Sequence, residues 1–155
     1  MKKPFVTVLM GTLVAALLLT DASFSASAQS GIPIMRRVRE LVSLLEDDND
    51  ETVAAIQVDQ LSQSSNIRTY TRTLYSGNDY TAVAAGDDRI HDTDLVVYRR
   101  SGDSWVEVGR DADTSNTAVV TFHCSSTGEY KFEIKAYSFE SGYSYGFYGF
   151  VLSFD

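Results

Sequence analysis

The sequence predicts an all-β fold, a jelly-roll-like β-sandwich of seven or eight strands, preceded by one N-terminal helix after a signal peptide. Three observations predict it. From residue 52 onward, short runs rich in Val, Thr, Tyr and Phe are broken by Gly, Ser, Asn and Asp about every 10 residues. Residues 129–139 alternate, with Tyr130, Phe132, Ile134 and Ala136 on one face and Lys131, Glu133 and Lys135 on the other. Only residues 32–45 carry the three- and four-residue spacing of a helix.

The first 28 residues read as a secretory signal peptide. Lys2 and Lys3 make a basic start, residues 5–19 form an apolar run, and Ala26, Ser27 and Ala28 make a small-residue cleavage pattern. The apolar run is shorter than the roughly 20 residues that a spanning helix needs, which argues against an uncleaved anchor. Cleavage after Ala28 places the protein in the periplasm or outside the cell. It leaves one domain's length of chain.

Residues 29–51 form a helical leader and an acidic linker. Ile34, Met35, Val38, Leu41, Val42 and Leu45 share a stripe, and Pro33 suits a helix start. Arg36, Arg37 and Arg39 lie near the start and Glu46, Asp47 and Asp48 beyond the end, against the helix dipole, so the helix depends on packing. Glu46 to Glu51 is an acidic run that reads as solvated linker.

Residues 52–155 are the β-domain. Strands are expected at residues 52–58, 67–75, 80–85, 94–99, 105–110, 117–124, 129–139 and 143–154, with turns at Gly77-Asn78, Gly102-Asp103 and Thr127-Gly128. The segment 86–93 reads as a loop. Together with the first residue of the strand that follows, it holds four aspartates, Asp87, Asp88, Asp92 and Asp94, that run directly into Leu95, Val96 and Val97.

With Lys2, Lys3 and Asp21 removed, the 13 basic and 21 acidic residues fall to 11 and 20, a net charge of about −9. A surface this acidic excludes nucleic acid and anionic lipid as natural partners and favours cations. Cys124 is the only cysteine, so no internal disulfide forms. By alternation it shares a buried face with Ala118, Val120 and Phe122.

The order of motifs has a precedent. Tyr80 follows a Gly-Asn-Asp turn; then come Gly-Asp-Asp, Asp-Thr-Asp-Leu-Val-Val-Tyr and a Ser-Gly turn. A loop with Asp111 and Asp113 follows, then Val-Val-Thr-Phe and Thr-Gly-Glu-Tyr-Lys-Phe-Glu-Ile. Over about residues 69–154 this resembles the bacterial pre-peptidase C-terminal domain family, which is similar to the calcium-dependent collagen-binding domains of bacterial collagenases. The resemblance implies a jelly-roll-like sandwich with an accessory rather than a catalytic role. Arg99 and Arg100 stand where an acidic residue often follows the Tyr, and no peptidase domain accompanies the module.

Calcium is the sharpest chemical expectation. It takes six to eight hard oxygens, and Asp87, Asp88, Asp92 and Asp94 offer carboxylates within eight positions. The resemblance adds Glu46, Asp48 and Asp50 as ligands from an acidic N-terminal segment. The alternative is that these side chains cap turns.

Catalysis finds little support. Gly142-Tyr143-Ser144-Tyr145-Gly146 matches the letters of a nucleophile elbow, yet no helix follows and both histidines, His91 and His123, precede Ser144. Tyr137, Tyr143, Tyr145, Phe147, Tyr148, Phe150 and Phe154 crowd the end of the chain, and the last strand is aromatic on both faces, more than one core face needs. Exposed rings among them would suit contact with an extracellular or envelope protein or glycan. The sequence thus reads as a non-enzyme, an exported binding or accessory module without stable membrane insertion. The alternatives are an accessory domain for a separately encoded secreted hydrolase and a structural envelope protein.

Overall fold

The structure, a computed structural model, describes residues 32–155. The signal-peptide reading lies outside the described residues. Helix α1 spans Ile32–Ser43 and continues into a single π-helical turn, Leu44–Asp48. Eight strands follow: β1 Thr52–Ser62, β2 Ile67–Leu74, β3 Asp79–Gly86, β4 Ile90–Ser101, β5 Ser104–Asp111, β6 Thr117–His123, β7 Gly128–Phe139 and β8 Tyr145–Phe154.

They form two four-stranded antiparallel sheets. The first has the order β1-β8-β3-β6 and the second β2-β7-β4-β5. Every connection except the β4–β5 hairpin crosses between sheets, which is the jelly-roll winding. That hairpin turns at Gly102, whose φ of +60° favours glycine.

The core between the sheets follows from two-residue alternation. Tyr130, Phe132, Ile134 and Ala136 of β7 meet Tyr148, Phe150 and Leu152 of β8, with Leu95 and Val97 from β4. At the open side of the sandwich Arg68 of β2 bonds Asp59 of β1 at 3.0 Å, tying the two sheet edges together.

The other face of the first sheet explains the doubly apolar tail. Helix α1 lies across it, and Val38 and Leu45 pack with Val83 and Val151, flanked by Leu41, Val42 and Val53. Helix propensity and dipole do not hold α1; burial of this stripe does. Arg37 adds a tether by donating to Asn116 at 2.7 Å and Thr117 at 2.8 Å.

Three local expectations are corrected. Residues 90–93 are strand, not loop, so Asp92 joins Asp94 in β4. Register shifts between Ile90 and Asp92 and between Asp92 and Thr93 let β4 keep pairing with β7 despite residues of low strand propensity. β1 runs four residues further than expected, to Ser62, because β8 pairs along its whole length. The acidic run is not uniformly solvated: Ser153 and Thr81 donate hydroxyl hydrogen bonds to the Glu51 carboxylate.

Candidate functional site

One end of the sandwich gathers the β1–β2, β3–β4, β5–β6 and β7–β8 connections. Backbone hydrogen bonds join them: Gln63 to Ser144 at 2.9 Å, Gly86 to Asn116 at 2.7 Å, and Glu140 to Arg89 at 2.9 Å. The β3–β4 turn is only residues 87–89, so its three side chains are presented from a stiff base.

Asp87 points inward and is buried. Its Oδ1 accepts the Arg89 amide at 3.0 Å, while its own amide donates to the Phe147 carbonyl at 2.8 Å. Burial pushes the Asp87 carboxyl above its ordinary value; amide hydrogen bonds from Arg89 and Phe147 and the Arg89 charge oppose that. A Cβ on Gly146 would sit 2.9 Å from Asp87 Oδ1 and 2.6 Å from Ile90 Cγ1. The second glycine of the Gly-Tyr-Ser-Tyr-Gly segment is therefore the floor on which the turn rests, not part of a nucleophile elbow.

Arg89 turns back over the tail. Its guanidinium carbon lies 5.0 Å from the Tyr145 ring centre, 5.8 Å from Tyr143 and 5.9 Å from Phe147. The Asp87 carboxylate is 4.0 Å from its Nε. Tyr145 and Phe147 meet edge to face at 6.3 Å. Beside them His91 Nδ1 is 2.9 Å from Glu140 Oε1. The rings stay open on their far sides, with Tyr143 47% and Tyr145 37% exposed. Tyr137 is also exposed, but it lies on the second sheet's outer face with Lys135 Nζ 4.5 Å from its ring centre.

The four aspartates do not form one set. Asp87 serves the turn and Asp88 is exposed. Asp92 is 7% exposed, and its Oδ1 is buried without a hydrogen-bond partner. Burial, then the charge of Asp92, raises the Asp94 carboxyl above its ordinary value, while Lys135 at 3.6 Å opposes that shift. Among the described residues no three Asp, Glu, His or Cys side chains converge as a metal cluster. Asp92 and Asp94 are the two of the four that share a strand, β4.

No described histidine is paired with a nucleophile. His91 faces Glu140, and His123 Nδ1 is 2.6 Å from Asp79 Oδ1. Cys124 is buried and donates to the Tyr130 hydroxyl at 3.3 Å. Burial, with that hydrogen bond, pushes Tyr130 up to about 12. Among the described residues no helix is long and apolar enough to cross a membrane.

The arginine clamp was missed in the sequence. The only signal for it was an Arg inside an acidic turn together with an aromatic tail 50-odd residues later, and nothing in spacing joins the two.

No protein-family model matches the sequence, and no curated protein matches it. Among solved structures, the pre-peptidase C-terminal domain of a collagenase from Bacillus anthracis is similar with a TM-score of 0.50. The identity is 13%, over 65% of this chain and 90% of that one. PliG of Aeromonas hydrophila, a periplasmic inhibitor of g-type lysozyme, is similar at 0.48 and 13% identity over 67% and 88%. A mitogen from Yersinia pseudotuberculosis is similar at 0.49 and 14% over 66% and 86%. The first of these likenesses shows that this chain shares the fold of the pre-peptidase C-terminal domain.

Proposed function

We propose that the protein is an exported, non-catalytic binding module that contacts a protein or glycan through the tyrosines of the loop end. The observation that carries this reading is the arrangement of Tyr143 and Tyr145. Both rings are held from behind by Arg89 and left open in front. Rings fixed in this way lose little freedom on binding, and tyrosine is enriched at the cores of interfaces. Export is supported by the order of basic, apolar and small residues in the first 28 positions. A non-catalytic role is supported by the burial of the Cys124 thiol and by the use of Gly146 as a tight packing point beneath Asp87 and Ile90 rather than in a nucleophile elbow.

The test uses immobilised wild-type protein and the Tyr143→Ala, Tyr145→Ala double variant, each exposed to collagen, a glycan array and extracellular and envelope fractions. A partner retained by wild type and lost by the variant supports the reading. Equal retention by both proteins contradicts it.

One observation favours a stabilising cation as a second reading. The unpartnered, buried Oδ1 of Asp92 stands beside the carboxyl of Asp94. Calcium there would remove both the repulsion and the unmet acceptor. A hundredfold excess over Kd would then add about 2.7 kcal/mol of stability. Equal melting temperatures in calcium and in chelator would rule it out.

A further inference from the structure

We propose that the partner of the loop end is a protein with a basic surface, whose lysine and arginine side chains lay their stems on Tyr143 and Tyr145 and their charges against Asp88, Asp113 and Glu140. This rests on the tyrosine contact proposed above and adds the chemistry of what is touched.

The charges at the two ends of the sandwich carry the inference. The connections of the loop end, residues 63–66, 87–89, 112–116 and 140–144, hold Asp87, Asp88, Asp113 and Glu140 against one basic residue, Arg89. The connections of the opposite end, residues 75–78, 102–103 and 124–127, hold Asp103 as their one charge. Acid is therefore concentrated where the tyrosine rings stand open.

Arg89 does not cancel it. Its Nε lies 4.0 Å from the buried Asp87 carboxylate, and its Nη1 is buried without a hydrogen-bond partner. The two charges offset each other beneath the surface, the arginine drawn against the backs of the rings. Asp88, Asp113 and Glu140 remain, all exposed. Among the described residues, neither Asp88 nor Asp113 has a lysine or arginine within ion-pair distance. Glu140 meets His91 through Oε1 alone. Cations of the neighbouring elements are held elsewhere: Arg37 donates to Asn116 and Thr117, and Lys135 lies 3.6 Å from Asp94.

The surface thus has an apolar centre and a negative rim. A neutral glycan could stack on the rings but would leave the rim charges unanswered. An acidic partner would be repelled. Lysine and arginine match both parts, because their methylene stems pack on apolar surface while their heads stay at the wet edge. Complementary charge also steers the encounter and selects the partner, and the chain's formal net charge of −8 acts in the same direction.

The experiment measures binding of three labelled probes to the purified protein by fluorescence anisotropy: a lysine decamer, a glutamate decamer and a neutral chitin hexamer. Wild type should bind the lysine decamer and neither of the others. Raising salt from about 0.01 M to about 1 M shortens the screening length from about 30 Å to about 3 Å and should weaken that binding more than tenfold. This arm needs no variant. Asp88→Asn with Glu140→Gln should weaken it about fivefold, since rim pairs contribute little each. Asp103→Asn with Asp155→Asn removes the same charge at the opposite end and should leave it unchanged. The inference is overturned if the chitin hexamer binds and the lysine decamer does not, or if the two charge variants weaken binding equally. Loss of lysine binding in Tyr143→Ala, Tyr145→Ala, with no loss in Asp88→Asn, Glu140→Gln, overturns the basic partner and leaves the tyrosine contact standing. The converse result overturns the tyrosine contact itself.

Discussion

A β-carbon added to Gly149 would lie 2.2 Å from Cγ2 of Val38, so the helix rests directly on the backbone of β8. Gly149→Ala must push α1 away from the sheet, at a cost of about 1–3 kcal/mol. Val38→Ala loses buried methyls and costs about 2 kcal/mol alone. The two changes relieve each other, so the double variant should cost clearly less than their sum. Urea midpoints of the four proteins give the coupling directly. Strict additivity would mean that α1 does not sit where the contact places it.

Arg89 should matter more than an exposed charge of its kind. Arg89→Met removes the cation from three rings and leaves the Asp87 carboxylate buried without its counter-charge, a loss of about 2 kcal/mol. Arg89→Lys should recover only part of this, because an ammonium cannot spread across the rings as a planar guanidinium does. Thermal melts at neutral pH check the order wild type, Lys, Met.

Asp94 gives a pH dependence with a definite sign. Its folded carboxyl titrates above the ordinary value of 3.8. The folded chain therefore holds more protons than the unfolded chain between that value and the folded pKa, and the cost of the charge is fully present above this window. Asp94→Asn should melt above wild type at pH 7. The difference should shrink as pH falls through the carboxylate range and disappear below about 3.8. A constant difference across pH would show that the effect is not electrostatic.

Much of the fold was legible because alternation reports burial. The Tyr130 to Ala136 pattern placed β7 correctly, and the jelly-roll reading matches the observed strand order. The doubly apolar tail was visible as a puzzle, but its solution, Val38 and Leu45 over Val151, required knowing where the helix lands. Asp92 was misplaced into a loop because its propensity opposes the strand that pairing with β7 imposes. The clamp of Arg89 on Tyr143, Tyr145 and Phe147 was not legible at all, since residues so far apart in sequence leave no periodic trace.

Contact between the loop-end tyrosines and the partner is read ring by ring by oxidative footprinting of the bound complex. Tyr75, 64% exposed at the opposite end of the sandwich, serves as the internal reference. Tyr143 and Tyr145 should lose reactivity on binding while Tyr75 keeps its own. Protection of Tyr75, or of Trp105 on the second sheet, with Tyr143 and Tyr145 unchanged, would contradict that contact.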